Sequence, residues 1–197
     1  MNKSKSISKD IEVLYEQYSN QFCSHIISQA DALVLEGNYD EAITNISDVL
    51  SIVSNNSKLK HKIEEIQNLK PQNLMDIITP YEKKGYTEKT KGEYMLMGGE
   101  KYYNGFQLGD SFTNTYAIFN LNARYSKIKG IIGHIDDSGD ADKIVDIFAD
   151  NILIDTIEIK YQDLPKDFDI DVTGINQLKF ERSDGSTQTG FGDIFIQ

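Results

Sequence analysis

The stretch NTYAIFNLNARYSKIKGIIGHIDDSG, residues 114–139, decides how the second half of this chain folds. Two aromatics flank an apolar run, a short basic patch follows, and a glycine–isoleucine run breaks into HIDDSG. No helical period runs through it. It reads as two adjacent strands ending in a loop rich in polar groups. The basic run ARYSKIK, residues 123–129, is short and set among acids, so it reads as a solvated strand face with Tyr125 and Ile128 turned inward.

Working outward, the same grammar holds from Gly92 to the end. Runs such as EYMLMGG, KYYNGFQLG, KIVDIFAD, ILIDTIEIK, NQLKFERS and GFGDIFIQ alternate with Gly, Asn and Asp turns. In DFDIDV the alternation puts Phe168, Ile170 and Val172 on one face and the aspartates on the other. Asp150–Asn151 supplies the turn residues of a tight hairpin. About eight or nine short strands with nothing helical between them predict a β-sandwich or jelly roll.

Upstream the period changes. From Asp10 to Glu36 apolar residues recur every three or four positions: Ile11, Leu14, Tyr15, Tyr18, Phe22, Ile26, Ala30 and Leu33. This predicts one long helix with room for a break near Ser19–Asn20. Gly37–Asn38 stops it, since glycine tolerates the left-handed conformation of a helix end. A second helix carries Tyr39, Ala42, Ile43, Ile46, Val49, Leu50 and Val53, and a third carries Leu59, Ile63, Ile66 and Leu69. Lys70–Pro71 closes the helical part, because the residue before proline avoids helical dihedrals. The fold class is therefore α plus all-β. The division is a helical segment over 1–70, a connector over 71–90 and a β-sandwich over 91–197.

Composition narrows function. A net charge of −11 excludes a nucleic-acid partner, which needs a dense Lys/Arg face, and disfavours anionic membranes. Cys23 is the one cysteine, so no internal disulfide forms; between Phe22 and Ile26 it reads as a small core residue. No apolar signal-peptide core and no membrane span is legible. The expected location is cytoplasmic, or the cell surface if the chain is part of a longer anchored protein. Catalysis is not expected. No G-x-S-x-G, H-E-x-x-H or P-loop appears, and Cys23 and His25 fall on different helix faces.

Binding groups are present. Tyr102, Tyr103 and Asn104 stand at a strand-to-turn position, Asn114 and Tyr116 open the next strand, and His134, Asp136 and Asp137 leave the one after. Amide, imidazole and carboxylate groups hydrogen-bond hydroxyls while a tyrosine stacks on an apolar ring face. The bland alternative has the tyrosines plugging the sandwich ends and the Asn and Asp residues capping turns. DDSGDAD, residues 136–142, concentrates oxygen ligands of the kind Ca²⁺ takes, against the plainer reading of a solvated acidic turn. Asp110, Asp137, Asp140 and Asp193 are the candidates for a structural Ca²⁺.

Two resemblances are carried by these residues. GNYDEAI, residues 37–43, resembles the turn between the helices of a tetratricopeptide repeat, with Ala30, Ala42 and Val49 at its small positions; Ser54 departs from the usual proline. The second half resembles the NPCBM/NEW2 domain, related to family 51 carbohydrate-binding modules. The matching elements are NGF at 104–106, NTYAIFNLNARYSKIKGIIG at 114–133, the aspartates 136–137, KIVDIFADNILI at 143–154, DIDVTGINQLKF at 169–180 and GFGDIFI at 190–196. The resemblance implies a galactose-binding-like jelly roll, often with structural calcium, that binds saccharides of galactose, N-acetylgalactosamine or cell-wall type on a bacterial surface protein. The helices would then serve as spacer. Many members place Trp after the last Asp, whereas here Ile194 follows Asp193 and the chain has no Trp, so tyrosine would have to stack. The expectation is a non-catalytic carbohydrate-binding module. The alternative is a protein-interaction or structural module with no sugar site, docking a partner through the helices.

Overall fold

A computed structural model describes residues 2–53, 56–89, 92–109, 115–183 and 187–197. The chain divides into two compact units, Met1–Lys70 and Pro71–Gln197.

The first unit is helical: α1 (Asn2–Leu35), α2 (Tyr39–Ile52) and α3 (Ser57–Leu69). Helix α1 is continuous through Ser19–Asn20. Gly37, at φ +81°, ends it: its N–H donates to the Val34 carbonyl and that of Asn38 to the Leu33 carbonyl, which satisfies the last turn. The core is small, with Cys23, Ala30, Ala42, Ile46, Leu59 and Ile66 fully buried. Alanines at 30 and 42 let the helices approach closely. Asn56 does two jobs. Its Oδ1 accepts from Leu59 N–H and caps α3, and its Nδ2 donates to Cys23 Sγ at 3.0 Å.

The second unit begins with β1 (Gln72–Asn73), a single turn α4 (Leu74–Ile77), β2 (Glu82–Lys84) and β3 (Tyr86–Lys89). Then come β4 (Met95–Met97), β5 (Glu100–Tyr102), β6 (Gly105–Leu108), β7 (Thr115–Asn120), β8 (Lys127–His134) and β9 (Lys143–Ala149). Finally β10 (Ile152–Ile159), β11 (Lys166–Asp171), β12 (Gln177–Arg182) and β13 (Thr189–Ile196) close the chain. One antiparallel sheet has the order β11-β8-β13-β6-β3, with β1 also on β13; the other runs β10-β9-β12-β7-β2. Among the described residues, strands β4 and β5 pair only with each other.

Over its described residues the expected connector, 71–90, supplies strands to the second unit. Glu82–Lys84 pairs with β7 and Tyr86–Lys89 with β6, giving each sheet an edge strand. Their charge reflects that position: an edge strand keeps much of its surface in water and is protected by charged side chains.

The two inner faces meet over phenylalanines. Phe106 stacks on Phe191 at 4.5 Å between centroids and on Tyr86 at 5.2 Å; Phe180 meets Phe191 edge-on at 5.2 Å. Burying each ring stabilises the fold by about 1.5–3 kcal/mol. Two hairpins use mirror-image turns that suit strand twist: Asp150–Asn151 at φ +46° and +68°, and Gly98–Gly99 at +60° and +83°. Asp150 fixes a second turn as well. Its carboxylate accepts from the N–H groups of Gln177 and Asn176, which holds its pKa below the ordinary value.

Candidate functional site

The outer face of the sheet containing β13 is built around missing side chains. Inward, β13 presents Phe191, Ile194 and Ile196; outward it presents Gly190 and Gly192. The β4–β5 hairpin lies on this glycine track. A Cβ at Gly190 would stand 2.5 Å from Met97 Sδ, and one at Gly192 would stand 2.7 Å from Tyr102 Cβ. Met95, Met97 and Ile135 form a small cluster of their own, joined by Tyr102 and Ile131. Asp136 locks the hairpin down. Its two carboxylate oxygens accept from Gly98 N–H and Gly99 N–H, each at 2.9 Å, and its own N–H donates to the Leu96 carbonyl.

Beyond the hairpin the sheet face opens into a cleft of about 390 Å³. Register assembles it. Asp169 of β11, Lys129 of β8 and Phe195 of β13 are direct cross-strand neighbours and form one row; Asp167, Ile131 and Gly192 form the next. Between the rows, β13 bulges at Asp193, which sits at φ +47°. The bulge re-aims the strand so that Phe195 faces outward, 37% exposed, while Ile194 and Ile196 stay in the core. Tyr102 stands against Gly192 beside the cleft. Burial raises its hydroxyl pKa, and the charges of Asp193, Glu100 and Asp167 raise it further. Asp169 is partly engaged by Lys127 Nζ at 3.1 Å. The cleft thus offers carboxylate acceptors, one ammonium donor and an aromatic face.

The expected site residues divide. Asp193 lines this cleft and Tyr102 stands beside it, against Gly192. Asp136 instead spends both carboxylate oxygens on the hairpin, so its role is structural. His134 ends β8 with Nε2 3.3 Å from Ser138 Oγ. That hydroxyl also donates to the Ile135 carbonyl and accepts from Gln188 N–H, which folds the 135–142 loop on itself and leaves Asp137 and Asp140 exposed. Tyr103 is exposed and tilts against Tyr94 at 5.9 Å, with Asn104 exposed beside it. Tyr116 lies on the outer face of the other sheet, donating to Glu82 with Lys179 Nζ 5.0 Å over its ring. Asp110 and Asn114 lie outside the described residues. Among the described residues no group of three or more His, Cys, Asp or Glu is placed to hold a metal ion, so Asp137, Asp140 and Asp193 do not gather into one site.

Lys129, Asp167, Asp169 and Phe195 were not among the expected residues. The aspartates carried a signal, since DFDIDV turns them outward.

Comparison with known proteins agrees with this architecture. The family model described as NPCBM/NEW2 domain matches residues 62–194, starting within α3. No curated protein matches the chain. Among solved structures, the CBM51 of GH95 from Clostridium perfringens, in complex with methyl-galactose, is similar at 16% identity and TM-score 0.54, over 64% of this chain and 99% of that one. The CBM51-2 and INT domains of Clostridium perfringens ZmpB, with GlcNAc, are similar at 12% identity and TM-score 0.53, over 64% of this chain and 31% of that one. The tandem CBM51 modules of a family 98 glycoside hydrolase from Streptococcus pneumoniae give 12% and 0.53, over 64% and 46%. This chain thus spans less than half of the two longer relatives. At these identities the likeness is one of fold.

Proposed function

This chain belongs to the NPCBM/NEW2 domain family, and we propose that its sandwich binds a saccharide in the cleft beside Tyr102. Family and neighbours are carbohydrate-binding modules, which are non-catalytic. The observation that carries the reading is the row Asp169–Lys129–Phe195 with Asp167 and Asp193 around it. A pyranose is amphipathic in the same way: its C–H face packs on an aromatic ring and its hydroxyls donate to carboxylates. Phe195 takes the stacking role that tyrosine was expected to fill. The neighbours' ligands, methyl-galactose and GlcNAc, make neutral hexoses and N-acetylhexosamines the first class to test. The helical unit serves as spacer, and the protein works at a bacterial cell surface.

The test is calorimetric titration of the whole chain with galactose, GlcNAc and their short oligosaccharides. Losing the Phe195 ring removes about 0.5–1.5 kcal/mol of stacking beyond area burial, and losing a charged hydroxyl contact about 1.5–3 kcal/mol. Phe195→Ala and Asp193→Asn should each weaken binding several-fold or more, with Tyr103→Ala unchanged. Binding that survives Phe195→Ala and falls with Tyr103→Ala would move the site to the loop end and sink this assignment.

A further inference from the structure

Helix α1 is far longer than its partners. At 1.5 Å per residue its 34 residues run about 50 Å, against about 20 Å for α2 and α3. The cover they give ends near Cys23, where Asn56 bonds Sγ and Lys58 Nζ reaches Asn20 Oδ1 at 3.2 Å. Besides Val13 at 56% exposure, five large apolar side chains stand in solvent among residues 9–22: Ile11 at 61%, Leu14 at 51%, Tyr15 at 70%, Tyr18 at 68% and Phe22 at 47%. Their spacing makes one stripe. At 3.6 residues per turn this stripe is centred about 135° around the helix from the seam of Cys23, Ile27, Ala30 and Val34 that packs on α2 and α3, with the partly buried Ile26 and Leu33 between the two. It is a second face, and not the unfinished end of the first.

We propose that this stripe binds the same stripe of a second copy, the two helices antiparallel, with Ile11 against Phe22 of the second copy and Tyr15 against Tyr18. Area supports it. With side chains of about 150–250 Å² for the aromatics, the five expose roughly 600 Å², so two copies bury at most about 1,200 Å². That is the lower bound of specific interfaces, where a reversible dimer is expected. Charge selects the direction. A parallel pair brings Asp10, Glu12 and Glu16 level with the same three acids along the axis, whereas the antiparallel pair brings them level with residues 17–23, which carry no charged side chain. A two-fold arrangement also closes, so assembly stops at two. Most helical stability in proteins comes from packing of an amphipathic face, and pairing supplies it where α2 and α3 do not cover α1. The pairing does not depend on what the cleft binds, but it joins two sandwich units in one particle and multiplies weak contacts with a multivalent surface.

Sedimentation equilibrium on the whole chain, from micromolar to millimolar concentration, should show the mass rising from 22.3 kDa to twice that value and levelling there. Tyr15→Glu combined with Tyr18→Glu should hold the single-chain mass with an unchanged far-ultraviolet dichroism spectrum. In a Cys23→Ser background, Ile11→Cys and Phe22→Cys chains should form a disulfide with each other when mixed under mild oxidation, and neither should pair with itself. A single-chain mass at every concentration overturns the proposal, whether the stripe is covered by another protein or by none. Mass growing past two chains overturns the closed pair, and self-pairing of each cysteine variant overturns the antiparallel direction.

Discussion

Gly192→Ala is the substitution that tests most directly how the cleft is built. The new methyl would stand 2.7 Å from Tyr102 Cβ and 2.8 Å from its Cγ and Cδ1, all closer than carbon atoms normally approach. On the other side β13 cannot retreat, because Phe191 packs flat on Phe106 and between them they hold the centre of the core. The hairpin must therefore lift, against the hold of Asp136 and the burial of Met95 and Met97. Overpacking of this kind destabilises by about 1–3 kcal/mol. For a unit of this size that is a fall in Tm of roughly 3–10 °C. Sugar affinity should fall as well, since Tyr102 is displaced. The assay is thermal unfolding paired with titration, run beside Tyr102→Ala and the double variant. Tyr102→Ala removes two of the three close atoms, so the double variant should lose less stability than the sum of the singles. Strict additivity, or a Gly192→Ala protein with unchanged Tm and affinity, would refute the idea that the hairpin rests on a glycine track.

Two further outcomes follow from the geometry. Asp150 has its pKa held below the ordinary carboxylate value by the N–H groups of Gln177 and Asn176, so the stability it supplies is present above that ordinary value and disappears as pH falls through the folded one. Asp150→Asn should lower Tm at pH 7 and make no difference near pH 2, as scanning calorimetry at both values will show; an equal deficit at both would contradict the assignment. Phe106→Ala, in a ring cluster with Tyr86, Phe119, Phe180 and Phe191, should cost about 3–5 kcal/mol in denaturant unfolding, and a loss under 1 kcal/mol would mean the cluster is not the centre of the core.

Much of the fold was legible because the inner faces obey simple periods. DFDIDV alternates, GNYDEAI marks a helix-to-helix turn, and Asp150–Asn151 marks a hairpin; each reads locally and each is local in cause. The edge strands were not legible. EKK and YTEK are short and charged, and what makes them strands is pairing with β7 and β6, which lie some 30 and 20 residues further along. The cleft was half legible. Asp167 and Asp169 follow from alternation, but Phe195 does not, because the bulge at Asp193 shifts the register by which inward and outward are counted. In α1 the spacing from Ile11 to Leu33 read as one stripe. Steps of three or four residues drift around a helix, and over six turns that drift separated a buried seam from an exposed one.

Among the described residues the β4–β5 hairpin pairs with a strand of neither sheet. It rests on the glycines of β13 through Met95, Met97 and Tyr102, and is tied at its turn by Asp136. The element that stands beside the cleft, with Tyr102 against Gly192, is therefore a bolted-on fitting whose fasteners are known. It makes its contacts with Gly190, Gly192 and Asp136, and the phenylalanine cluster of the core is built from other strands. Taste in ligands can then drift along a lineage, or be rewritten at the bench, while the sandwich beneath keeps its shape.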